Sequence, residues 1–193
     1  MIYVIYAVIE ILNKFMMIIK NNSRIVGFFT LFFIWCLLVG NVETPDTNNY
    51  LYQYNNLNIT AYHSKEIGYI FLIRIGNKLG LEYFQFRMLV LIPCLMLIHI
   101  TIKKYSGNYH YVYFYYLLYS FFMDAVQINN FIAMSFLIYS MNYLNKGESY
   151  SRVKFICCIL LASSIHTASL FYLVMLFVNY KDKNRSYLSV LHP

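Results

Sequence analysis

VKFICCILLASSIHTASLFYLVMLFV, Val153 to Val178, is an apolar run longer than the roughly 20 residues that cross a bilayer as one helix. It carries a single imidazole, His166, flanked by Ser163, Ser164, Thr167 and Ser169. An imidazole at that depth is costly unless it finds a partner. One tilted span would put Lys181, Lys183 and Arg185 on the outer side. Two short helices meeting near His166 would return them to the side of Lys146, Arg152 and Lys154, as the positive-inside rule asks. Each half is too short to cross alone at about 1.5 Å rise per residue. A broken, re-entrant pair is therefore expected, buried in protein or lining a wet cavity.

The rest of the chain has the same character. Of 193 residues 60% are hydrophobic and only 12% charged, about half the charged share of a soluble domain. The expected fold is all-α, a polytopic transmembrane helix bundle of about six to seven membrane segments, some short or re-entrant, forming one membrane domain over 1–193. The start MIYVIYAVIEIL has no basic n-region and no small-residue cleavage site, so it reads as a retained first helix. A net charge of +7 sits mainly in short loops beside apolar runs. That placement is a topology signal and excludes nucleic acid as a partner.

Two apolar segments, 2–19 and 25–40, flank Lys20 and Arg24, which are placed in the cytoplasm. The polar stretch that follows falls outside, and residues 41–83 form an external loop with an interfacial helix. Within it Arg74, Lys78 and Glu82 recur every fourth residue, giving a helix with a charged stripe that lies flat on the surface or crosses. The flat arrangement sends 84–102 inward, Tyr109–Met123 outward and 127–144 inward. It places Lys103 and Lys104 inside and the polar cluster DAVQINN (124–130) outside.

Four features carry candidate chemistry, and each also has a purely structural reading. In TPDTNNYLYQY, Thr44 reads as an N-cap and Pro45 as the first helical residue. Asp46, Tyr50 and Tyr54 then share a face, which suits a sugar bound through an acid and aromatic rings. The same residues serve equally as a dipole-complementing acid and an interfacial tyrosine belt. Glu66, opening the next helix, reads as capping or as a site carboxylate. Asp124, Gln127 and Asn130, three apart, read as interhelical hydrogen bonding or as cavity lining. His166 reads as a satisfied buried imidazole, a proton relay or an anion donor.

The four cysteines show no CxxC or Cys/His spacing, and no Walker, GxGxxG, HExxH or GxSxG motif occurs, so neither a metal nor a cofactor is indicated. With the flat topology, Asp46, Glu66, Gln127 and His166 all fall on the external side.

The motif order PDTNNYLYQY, KEIGYIFLIRIGNKLG, IKKYS, QINNFIAMSF and SSIHTASLFYL resembles the EpsG family of bacterial polysaccharide-biosynthesis membrane proteins. The resemblance covers nearly the whole sequence and corresponds to the N-terminal half of the family's usual length. It implies a Wzy-like polymerase, architecturally related to GT-C glycosyltransferases, in the bacterial cytoplasmic membrane. Such an enzyme joins polyprenyl-diphosphate-linked oligosaccharide repeat units at the outer face. Its partners would be that lipid-linked sugar, membrane lipids and other polysaccharide-assembly membrane proteins. Asp46, Glu66 and His166 match the implied catalytic positions, and Tyr50, Tyr54, Gln127, Asn129 and Asn130 the binding positions. Asn129 stands where the family motif has arginine, and LVGNVETPD lacks the arginine that often precedes the acidic loop. A transport or flipping module that only binds the lipid-linked sugar is the alternative, and a remnant without activity a further one.

Overall fold

The computed structural model describes residues 2–41, 44–63, 65–144 and 149–178; Lys146, Lys181, Lys183 and Arg185 lie outside the described residues. The described chain is helical throughout. The helices are α1 (Ile2–Ile18), α2 (Arg24–Gly40), α3 (Pro45–Asn55), α4 (Leu57–His63), α5 (Ile67–Lys78), α6 (Tyr83–Tyr105) and α7 (Tyr109–Tyr115). A π-helical turn, Tyr116–Ser120, joins α7 to α8 (Phe121–Val126) in one column. Then come α9 (Ile128–Leu144), α10 (Ser149–Ile165), a 3₁₀ segment (Thr167–Val174) and α11 (Met175–Val178).

Local chemistry sets the boundaries. Ser23 caps α2 by accepting from the Val26 amide at 3.4 Å. The α6 start is a capping box in which the Glu82 amide donates to Gln85 Oε1 at 3.0 Å. Gly80, at φ +68°, makes the left-handed turn between α5 and α6 that a side chain would resist. Pro45 does open α3, as expected. Thr44 is its N-cap residue, but its hydroxyl pairs with Thr47 Oγ1 at 2.7 Å and not with a backbone amide.

The apolar runs expected in the membrane fall on α1, α2, α6, the α7–α8 column as far as Met123, α9, α10 and the segment after His166. Among the described residues α6 is the one helix both long and apolar enough to cross a membrane, and α2 is a shorter apolar helix. Phe28, Phe32, Met96, Leu160, Leu161 and Phe177 are all exposed, far more bare apolar surface than a water-soluble monomer carries. The buried core runs through Ile34 and Leu38 of α2, Tyr69 and Ile73 of α5, Leu91 of α6 and Phe131 and Ile132 of α9.

The break at His166 is present. α10 ends at Ile165, His166 is extended (φ −143°, ψ 111°), and the chain continues as a 3₁₀ segment. Tyr172, Leu173, Met175 and Leu176 pack against the cluster of Leu137 of α9 with Phe155 and Ile159 of α10, so the chain doubles back. The segment expected to be interfacial is α5, whose buried Tyr69, Ile70, Ile73 and Gly76 form one face. Its 12 residues span about 18 Å, short of the roughly 30 Å hydrocarbon layer.

The two ends of the bundle differ in charge. At one end, Asn22 reaches Gly107, Lys104 reaches Asn142, and Lys154 lies over the Tyr143 ring. Arg24, Lys103 and Arg152 belong to the same end. Asn41, Ala125, Asn129, Glu66 and His166 gather at the other.

Candidate functional site

Four side chains from four elements form a hydrogen-bonded line at the less basic end of the bundle. The Tyr50 hydroxyl, from α3, donates to Asn129 Oδ1 at 2.5 Å. The Asn129 amide nitrogen, from the first turn of α9, donates to Glu66 Oε2 at 2.9 Å. The other carboxylate oxygen, Glu66 Oε1, lies 3.0 Å from His166 Nδ1. The Tyr50 end is buried, whereas the His166 and Glu66 side chains are 29% and 23% exposed. The line thus opens outward at its acid–base end.

Each position has a local cause. Glu66 is the residue before α5, so its side chain projects from a helix start. Asn129 is held by its own helix start as well, because its Oδ1 also accepts from the Asn130 amide at 2.9 Å. His166 sits in the extended link that ends α10, and its backbone amide closes that helix on Ala162 at 2.8 Å.

Gly68 sets the spacing between the last two partners. A Cβ there would meet the Ser164 hydroxyl at 2.2 Å and the Ser164 carbonyl carbon at 2.9 Å. Only a residue without a side chain lets α5 approach α10 this closely. Gly68 follows Glu66 by two residues and Ser164 precedes His166 by two, so the helix contact brings acid and imidazole together.

With Glu66 as a carboxylate, both its oxygens accept, one from Asn129 and one from His166. The proton of a neutral His166 then lies on Nδ1, which leaves Nε2 as an acceptor. A carboxylate that fixes the tautomer and orientation of a histidine is the arrangement of a general base. Tyr50 stays a donor at any working pH. Burial foremost, then the Asp46 carboxylate one turn before it, hold its phenol well above the usual value.

Of the residues expected at a site, Glu66, His166, Tyr50 and Asn129 are brought into contact, and Asp46 acts on Tyr50 through its charge. Gln127 links α8 to α9 through its backbone: its amide donates to Met123 and its carbonyl accepts from Phe131, each at 3.0 Å. Asn130 joins through its amide nitrogen. Tyr54 does not join: its hydroxyl donates to the Leu81 carbonyl at 2.8 Å and its ring packs on Tyr83 and Phe86. One turn beyond Tyr50, it reaches the α5–α6 turn and fixes that instead.

Asn129, in the position where a motif arginine was expected, serves as a neutral clamp between Tyr50 and Glu66. Two further residues shape this end of the bundle without belonging to a functional motif. Gly68 was visible only as part of EIGY. Arg87 stood as a lone charge in FQFRMLVLIP, and an ionisable residue inside an apolar segment is itself a signal.

Among the described residues, an all-helical bundle with a bare apolar exterior and an acid–imidazole pair at its less basic end is the build of a membrane protein. A family model described as EpsG family matches residues 23–192. The chain belongs to the EpsG family, which makes it a membrane protein connected with polysaccharide biosynthesis. No curated protein matches it, and no solved structure does.

Proposed function

We propose that the site transfers a growing glycan from its polyprenyl diphosphate carrier to a hydroxyl of the next lipid-linked repeat unit, on the outer face of the cytoplasmic membrane. The observation that supports this most is the Tyr50–Asn129–Glu66–His166 line, because the transfer needs a base for a sugar hydroxyl. His166 Nε2 accepts the hydroxyl proton while Glu66 holds the imidazole and stabilises its charged form. The hydroxyl oxygen bonds to the anomeric carbon of the growing glycan, and the bond from that carbon to the diphosphate breaks. Asp46 accepts hydrogen bonds from sugar hydroxyls at the mouth of the site. The topology follows the charge: Arg24, Lys103, Lys104, Arg152 and Lys154 face the cytoplasm, and the site faces out.

The test is complementation of a polymerase-null strain whose remaining pathway is intact. The chain restores polymer ladders, whereas Asp46→Ala and His166→Ala at equal membrane abundance do not. Single-repeat product reaching the surface without polymer would indicate a transport role instead. Wild-type ladders from both variants would overturn the site assignment.

A further inference from the structure

Arg87 lies near the start of α6 with 2% of its surface exposed. A guanidinium keeps its proton, so in an interior it has to be matched in place. Among the described residues no carboxylate lies within ion-pair distance of it. Its two terminal nitrogens meet backbone carbonyls. Nη1 donates to the Asn41 carbonyl at 3.3 Å and Nη2 to the Ala125 carbonyl at 3.4 Å. Asn41 is the C-cap of α2, and Ala125 stands in the last turn of α8. The last carbonyls of a helix have no partner within it, and the end carries about half a negative charge. One guanidinium therefore serves two helix ends at once. The Asn41 side-chain amide also donates to Ala125 O at 3.4 Å, closing a three-way tie between α2, α6 and α8.

The two helix ends in this tie are the ones from which the chain departs toward the site. From Asn41 it runs to α3, with Asp46 and Tyr50. From Ala125 it runs through Gln127 to α9, with Asn129. The guanidinium charge also acts on the phenols of Tyr83, Tyr69 and Tyr50, and Tyr50 is the buried end of the hydrogen-bonded line. We propose that Arg87 is a positioning residue, whose forked charge locks the α2–α3 and α8–α9 junctions together and so keeps Tyr50 in register with Asn129. It touches no substrate. Its functional consequence rests on the site proposed above, but its geometry does not.

The test compares Arg87→Met, which keeps the length without the charge, and Arg87→Lys, which keeps the charge without the fork. Leu91→Ala, a core truncation one turn further along α6, serves as the control for general loss of stability. Amide hydrogen exchange of the whole chain in detergent is read at peptides covering Thr47 and Gln127, with peptides of α10 as reference. Arg87→Met should speed exchange at both junctions by about tenfold, the loss of roughly one charge-assisted hydrogen bond. Arg87→Lys, lacking the fork that reaches both carbonyls, should recover only part of that, and Leu91→Ala at matched melting temperature should leave the two junctions in step with α10. Faster exchange at one junction only, or equal effects of Met and Lys, overturns the proposal. So does a wild-type polymer ladder from Arg87→Met once both junctions are loosened. If the unaltered chain makes no polymer, the transfer reading fails, and the exchange data alone decide the role of Arg87.

Discussion

Two buried polar networks occupy opposite ends of this bundle. At the basic end, Asn13 donates to the Ile9 carbonyl and Thr30 Oγ1, and His110 Nδ1 donates to Asn13 Oδ1 at 2.8 Å. Asn13, Thr30 and His110 are fully buried. At the other end the Tyr50–Asn129–Glu66–His166 line begins buried and ends partly exposed. Both contain a histidine and an asparagine in an apolar setting. Access separates them: the first joins α1, α2 and α7 as interhelical glue, and the second presents a carboxylate-held imidazole to the outside.

Substitutions can break this contrast. The largest effect should come from Gly68→Ala, which forces α5 away from α10. Overpacking of this kind costs about 1–3 kcal/mol, and a shift of about 1 Å at the acid–imidazole pair costs on the order of 100-fold in rate. Polymer should vanish while some folded protein persists in the membrane. Normal ladders would show that the α5–α10 approach does not set the pair.

Asn13→Leu should do the reverse. It leaves Thr30 and His110 without a shared partner at a cost of about 1–2 kcal/mol, so the melting temperature in detergent falls. The specific polymer yield per folded molecule should hold. A loss of activity beyond the loss of protein would make the basic-end network part of the function.

The smallest effect concerns Asp124, just past the apolar run that ends at Met123. Burial pushes its carboxyl up to about 6, with the Tyr116 phenol beside it pulling the other way. A carboxyl raised in the folded state binds its proton more tightly there than when unfolded. Stability is therefore fully present below about pH 4 and is lost as pH rises through about 6. Asp124→Asn should stabilise the chain at pH 7.5, by at most on the order of 3 kcal/mol, and leave it unchanged at pH 4. Equal shifts in melting temperature at both pH values would contradict this.

The sequence made much of the fold legible. Apolar runs and loop charges located the helices, and the polar interruption SSIH marked the break after Ile165. They also brought Glu66, Asn129 and His166 to one end, because topology alone decides which loops share a side. What remained hidden depends on contacts between distant residues. The role of Gly68 exists only opposite Ser164, and Tyr54 left the site because the α5–α6 turn offered its hydroxyl a carbonyl. Arg87 was legible as an anomaly, but its partners are backbone atoms that no motif can name. The α10 run also hid its change to 3₁₀ geometry, since Thr167–Val174 is apolar in either form.

The central claim is that Glu66 and His166 act as one unit. The direct measurement is a double-mutant cycle on the rate of polymer formation, in membranes supplied with the lipid-linked repeat unit. Glu66→Gln and His166→Gln should each lower the rate by about 100-fold or more. The double variant should be no worse than about threefold below the weaker single, because residues acting as a unit lose their effect together. Losses that multiply, or a wild-type rate in either single variant, would contradict the account.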